Sequence, residues 1–278
     1  MKKMVILNIT HGDHPYCSKK HFLPIAAGAC RDDILNDACG DDNISDKNKY
    51  YGDFTSLYWA WKNLKGVDII GTSHYRRYIS PIAYLPSIQY DIAWQSFCTA
   101  TYPTINFRRK LIFNDIILVK SVELDCTVEE QYKQYHSNVE NLKIIENILL
   151  VQCPEYLKYW QLYLKSNKLQ YGFLFITKWQ YFDELCTWIY PILEEFEKRI
   201  DVQKYDGYQS RVVGYIYERL VPVYIKAKKL KVAYMPMLYI SKDSKKSLNN
   251  HKRSYWYTKK GVKPFIKQIK CFLHFFQQ

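Results

Sequence analysis

Residues 67–72, Val-Asp-Ile-Ile-Gly-Thr, form an apolar run of strand length that passes without a break into Ser73-His74-Tyr75-Arg76-Arg77-Tyr78. A run this short and this rich in branched side chains predicts a buried strand. The abrupt change to imidazole and guanidinium groups sets polar chemistry at its carboxyl end. Residues 4–9, Met-Val-Ile-Leu-Asn-Ile, behave the same way and end in Thr10-His11-Gly12-Asp13-His14-Pro15. In open α/β sheets ligands bind just beyond the carboxyl ends of such strands, so these two ends are the first places to look for a site.

Further apolar runs at 115–119 and 173–176 predict two more strands. Between and after the strands the period changes to that of helices. Phe54, Leu57, Tyr58, Trp61 and Leu64 repeat at helical spacing over 53–64, where Tyr58 and Trp61 read first as core residues. Thr127 and Glu130 form a capping box that opens a helix to about His136. Amphipathic segments follow at 138–151 and at 154–166, the latter opened by Pro154, and longer ones at 181–198 and 208–228. The alternation predicts one α/β domain over 1–241, a sheet with helices on both faces and a helical insertion near 127–167.

The composition excludes a disordered chain: 48% of the 278 residues are hydrophobic. The net charge of +13 is unevenly placed, since residues 242–278 hold ten Lys or Arg against the single acid Asp243. That tail carries +9 and leaves +4 for the first 241 residues, which points to a local anionic partner of the tail rather than a basic groove across the fold. A non-enzymatic polyanion- or nucleic-acid-binding protein is the rival reading, motivated by a pI near 9.2 and 17% aromatic residues. In the tail, Val262, Phe265, Ile266, Ile269, Leu273 and Phe276 share a helical face, with Lys263, Lys267, Lys270 and His274 beside it. The pattern fits a basic amphipathic helix lying on an anionic membrane; a helix docked on the body with its lysines in solvent is the alternative. Eight cysteines without Cys-x-x-Cys or zinc spacing, no signal h-region and no apolar run of about 18 residues predict a cytoplasmic protein, peripheral at the inner face of the plasma membrane.

Several blocks carry a resemblance: Asp42-Asn43-Ile44-Ser45, then 51–63 with its Tyr58-Trp59-Ala60-Trp61-Lys62-Asn63, then Gly71-Thr72-Ser73-His74-Tyr75-Arg76-Arg77-Tyr78. Ile9-Thr10-His11, Pro24-Ile25 with Gly28, Glu130-Gln131-Tyr132 with His136, Pro154-Glu155-Tyr156, and 208–220 with Arg211, Gly214 and Glu218-Arg219-Leu220 extend it over about 5–236. Together they resemble a bacterial family first catalogued as a domain of unknown function, whose members occur in capsular and exopolysaccharide loci and are classed as glycosyltransferases. The resemblance implies a GT-A-like (Rossmann-like) nucleotide-sugar domain, a UDP-sugar donor and, for some members, transfer of galactose or galactofuranose to a growing lipid-linked glycan of capsule, exopolysaccharide or O-antigen. Two departures stand out. Tyr171-Gly172-Phe173 replaces a usual Tyr-Asn-Met, which leaves specificity open and keeps an inactive scaffold as an alternative. Asp53-Phe54-Thr55 replaces a usual Glu-Leu-Thr.

Sugar transfer from a nucleotide diphosphate must neutralise the leaving group, by a metal held on aspartates or by fixed cations. The sequence contains no Asp-x-Asp. His74, Arg76 and Arg77 are therefore expected to hold the diphosphate without a metal or other cofactor, guanidinium being suited to bidentate phosphate contacts. A solvated Arg-Arg turn over a buried His74 is the bland alternative. Thr10 and His11 are expected near the nucleotide, and Asp42 or Asn43 at uracil or ribose unless they only build a turn. Glu218 is the expected general base of an inverting transfer, with Asp206 and Asp115 in reserve. Arg211 and Arg219 either pair with Glu218 or join the phosphate clamp.

Overall fold

The computed structural model describes residues 2–29, 31–82, 89–136, 138–170 and 174–241. The basic tail 242–278 and the Tyr171-Gly172-Phe173 departure lie outside the described residues. The described residues form a mixed sheet of nine strands. Next to its edge strand lies β1 (Met4–Thr10), buried along almost its whole length, which pairs in parallel with that edge strand, β2 (Phe22–Ala26), on one side and, across α1 (Asn48–Tyr51) and α2 (Phe54–Asn63), with β3 (Ile69–His74) on the other. Both neighbours of β1 are thus parallel to it, and the β1–β3 register sets Ile9 opposite His74.

After β3 the chain reverses through Tyr75-Arg76 into the short antiparallel β4 (Arg77–Ile79). β5 (Gln89–Ala93), α3 (Trp94–Thr99) and α4 (Ile105–Phe113) occupy the stretch whose sequence shows no period. β6 (Ile116–Val119) follows, then the small pair of β7 (Val122–Glu123) and β8 (Lys168–Leu169), between which α5 (Val128–His136), α6 (Glu140–Gln152) and α7 (Leu157–Leu164) form the expected insertion. The capping box is present: Glu130 accepts from the Thr127 amide at 2.8 Å and the Thr127 hydroxyl from the Glu130 amide at 3.1 Å. β9 (Phe175–Lys178) leads into α8 (Trp179–Arg199), α9 (Val212–Ala227), β10 (Val232–Met235) and β11 (Met237–Ser241).

β9 runs antiparallel between β3 and β6, so the sheet is mixed. Helices cover both faces, as expected. On one, α2, α6, α8 and α9 bury a large apolar core with β1, β3 and β6; on the other, Phe107 and Leu111 of α4 pack on Met4, Ile6, Ile69 and Ile117. Burial of this size is the main stabilising term of the fold. Among the described residues no helix is long and apolar enough to cross a membrane.

Candidate functional site

The carboxyl ends of β1 and β3 open into a cavity of about 310 Å³. His11 comes from the end of β1, His74 to Arg77 from the β3–β4 reversal, Gly52 and Asp53 from the turn before α2, and Arg211, Gly214, Tyr215 and Glu218 from α9 and the turn preceding it. Two glycines fix this assembly. Gly52 takes a left-handed backbone (φ 61°), which turns the chain so that Asp53 faces the cavity. Gly214 lets α9 approach α1 closely, for a Cβ there would stand 2.9 Å from the Tyr51 carbonyl oxygen.

Asp53 is the hub. Its Oδ1 is hydrogen-bonded to His11 Nε2, and its Oδ2 lies 3.4 Å from His74 Nε2. It stands where a helix N-cap aspartate would, yet makes no side-chain cap bond, because the carboxylate is turned to the imidazoles. Burial opposes its ionisation, but the surrounding His74, His11 and Arg211 outweigh burial and hold the carboxyl below the ordinary range. Burial lowers His74 to about 4, with the Arg77 charge acting in the same direction against Asp53, so the imidazole is neutral near pH 7. Glu218 moves the other way: burial raises it to about 7 against the pull of Arg219, Arg77 and Arg211. The cavity therefore holds an ionised carboxylate, a neutral imidazole and a carboxyl group poised near neutrality.

The cations are arranged around these groups. Arg76 lies across the rings of Tyr75 and Tyr239, 5.3 and 5.6 Å from their centroids, while His14 stacks flat on Tyr75 at 4.0 Å. The buried Nε of Arg76 and Nδ1 of His74 have no hydrogen-bond partner, which marks donor and acceptor capacity left for a ligand. Asp53, His11 and His74 also place three metal-ligand atoms within 4.8 Å of one another, the place in this cavity where a divalent ion would fit.

Six residues singled out from sequence meet here: His11, His74, Arg76, Arg77, Arg211 and Glu218. The others stand elsewhere. Thr10 is fully buried beneath the site, its hydroxyl 3.4 Å from the His14 carbonyl. Asp42 accepts from the Tyr58 hydroxyl at 3.0 Å, and Asn43 closes a turn onto the Gly40 carbonyl at 2.8 Å, both outside the cavity lining. Arg219 is buried with its guanidinium bonded to Gln131 at 2.7 Å and to the Tyr215 carbonyl at 2.8 Å, facing α5 rather than the cavity. Asp115 sits at the opposite end of the sheet, holding the Lys231 amide and the Tyr181 hydroxyl, and Asp206 precedes the turn at Gly207–Arg211.

Asp53 was not among the expected site residues, and Asp37 was missed altogether. Asp37 is fully buried and accepts from the Gly28 amide and the hydroxyls of Ser45, Thr55 and Ser56 at 2.6 to 3.0 Å, which pins the loop 27–47 to the start of α2 and so supports the Asp53 turn. The serine of the Asp42-Asn43-Ile44-Ser45 motif works there, at the buried carboxylate.

The mixed α/β sheet, with helices on both faces and a polar cavity past the ends of its parallel strands, fits the GT-A-like class of fold. An apo structure of the bifunctional glycosyltransferase WbbM superposes with a TM-score of 0.78 over 86% of this chain, at 22% sequence identity. This chain spans about half of that one, 46% of its length. Residues 5–229 match the family described as a domain of unknown function, DUF4422, and the chain belongs to it. No curated protein matches the sequence.

Proposed function

We propose that this protein is a glycosyltransferase that moves a sugar, galactose or galactofuranose, from a UDP-sugar to a hydroxyl of a lipid-linked glycan during synthesis of capsule, exopolysaccharide or O-antigen. The observation that carries the reading is the convergence of Arg76, Arg77 and Arg211 with Glu218 on one cavity at the ends of β1 and β3. The fold likeness to a glycosyltransferase supports it.

In this reading the acceptor hydroxyl attacks the anomeric carbon while the bond from that carbon to the diphosphate oxygen breaks. Charge builds on the departing UDP, and the guanidinium groups of Arg76, Arg77 and Arg211 offset it, with His74 orienting the phosphate as a neutral group. Glu218 takes the proton from the acceptor hydroxyl of an inverting transfer, a task suited to a group that titrates near the working pH. Asp53 keeps His11 and His74 in place. The fixed cations make the transfer metal-independent. Metal-assisted transfer is the second reading, favoured by the His11, Asp53 and His74 cluster. The tail, with its ten cations, supplies attachment to the anionic cytoplasmic face where a lipid-linked acceptor resides.

The test is release of UDP from a panel of UDP-sugars in the presence of lipid-linked glycan acceptors. Release that requires one donor and survives EDTA supports the proposal. No release from any donor overturns it, and release abolished by EDTA and restored by Mn²⁺ selects the metal-assisted reading.

A further inference from the structure

A second cavity, about 480 Å³, lies away from the cleft. It is lined by four cationic or titratable nitrogen side chains, Lys19, Lys20, His21 and Arg108, and by no acid. The β1–β2 register places it beside the amino-terminal half of β1: the His21 carbonyl accepts from the Ile6 amide at 2.7 Å, and Arg108 donates to the Lys2 carbonyl at 2.6 Å. The cleft lies at the other end of β1. Lys19 is fixed by bonds to the Cys98 and Ala100 carbonyls, and His21 holds a left-handed backbone with φ 75° although it is not glycine. Those constraints hold Lys19 and His21 beside Lys20 and Arg108 in the cavity wall.

The wall of this cavity continues as α4, whose sequence is Ile-Asn-Phe-Arg-Arg-Lys-Leu-Ile-Phe. Phe107 and Leu111 face the sheet and are buried. At 100° per residue, Arg108, Ile112, Ile105, Arg109 and Phe113 fall within an arc of about 140° on the opposite side. Three of these are large hydrophobics left in solvent: Ile105 is 47% exposed, Ile112 68% and Phe113 78%. Arg109 and Lys110 beside them are exposed as well.

We infer that the outer face of α4 and the adjoining basic cavity dock on an anionic phospholipid surface, with Ile112 and Phe113 entering the acyl boundary and headgroup phosphates meeting Lys20, His21 and Arg108. A helix lying in a membrane interface sets apolar side chains toward the acyl boundary with cations beside them, and α4 sets Ile105, Ile112 and Phe113 beside Arg108, Arg109 and Lys110. The charges discriminate among occupants. A second copy of this chain would bring Arg108, Arg109 and Lys110 against their own equivalents. The chain's own tail, which carries +9, is repelled by the same residues. A surface that is both anionic and apolar satisfies every group in the patch. Contact here leaves the cleft uncovered. The inference stands independently of the proposed transfer reaction, because it concerns lipid alone.

The test is partition of the full chain onto vesicles of phosphatidylcholine, with and without phosphatidylglycerol. The double variant Ile112→Ser/Phe113→Ser should lose about tenfold in partition to the anionic vesicles, and Arg108→Glu/Arg109→Glu a similar factor that shrinks as salt rises. Leu150→Ser/Val151→Ser alters an exposed apolar pair on α6, 55% and 74% exposed, and should leave partition unchanged. Loss in that control equal to the loss in the α4 variants overturns the assignment, as does undiminished partition in both α4 variants. Binding of inorganic phosphate or a single-stranded oligonucleotide that the α4 variants abolish, with vesicle binding intact, also overturns it. Far-ultraviolet circular dichroism and a Tm equal to the parent's confirm that the variants fold.

Discussion

Asp53 Oδ2 lies 3.4 Å from Nε2 of His74, while the other oxygen of the same carboxylate is taken by His11. One carboxylate thus orients two imidazoles that arrive from different strands. Asp53→Asn removes the charge but keeps the shape, and its amide nitrogen confronts one of the two ring nitrogens. Sugar transfer should fall about 10- to 100-fold, as small displacements in a positioned site commonly cost. Steady-state kinetics with circular dichroism would check this; full activity in Asp53→Asn would remove the carboxylate from the account.

On the proposed mechanism Glu218 gives the reaction its pH dependence. A base raised to about 7 is protonated in mild acid, so kcat/KM should climb through a limb near pH 7 and level off above it. Glu218→Gln should lose most of the activity and that limb together. A limb of the same midpoint in the residual activity would assign it to another group.

His136 predicts how stability responds to acid. Burial, helped by the Arg219 charge, lowers it from 6.5 to about 3, so between those values the unfolded chain binds a proton that the folded chain refuses. Its contribution is complete above pH 6.5 and is lost as the pH falls toward 3, by at most about 1.4 kcal/mol per pH unit. His136→Phe should flatten that part of the curve in urea unfolding measured from pH 7 to pH 4. An unchanged slope would contradict the assignment.

Gly214→Ala introduces a Cβ 2.9 Å from a backbone oxygen of α1, which has little freedom to retreat. The expected cost is about 1–3 kcal/mol in urea unfolding, with a raised KM for the donor because the Gly52-Asp53 turn moves with α1. A variant as stable as the parent would show that the α1–α9 contact has slack.

Much of this was legible in the sequence, for physical reasons. The runs at 4–9 and 67–72 are apolar enough to be buried strands whatever surrounds them, so their polar ends had to meet a common surface, and His11, His74, Arg76 and Arg77 do line one cavity. The helix over 53–64 and the insertion followed from periodicity. β9 reads like any apolar run, and its antiparallel direction depends on partners far away in sequence. Residues 105–113 give only a weak helical signal, because α4 buries only Phe107 and Leu111 on its sheet side and leaves Ile105, Ile112 and Phe113 outside. Arg211 and Arg219 share one stretch of chain, yet only the packing of α9 on α5 decides that the first lines the cavity and the second is buried. Asp53 registers in the sequence only as a departure from Glu-Leu-Thr, because its two imidazole partners come from β-strand ends far away in sequence.

The central claim is that arginines, not a metal, hold the donor diphosphate, and UDP-induced thermal stabilisation in EDTA tests it directly. A ligand at a hundredfold excess over Kd adds about 2.7 kcal/mol, which corresponds to about 5 °C or more in Tm for a chain of this size. The parent protein should show that shift in EDTA, and Arg76→Ala/Arg77→Ala should abolish it while leaving the Tm without nucleotide within a few degrees. A shift that vanishes in EDTA, or one that persists in the double variant, would contradict the account.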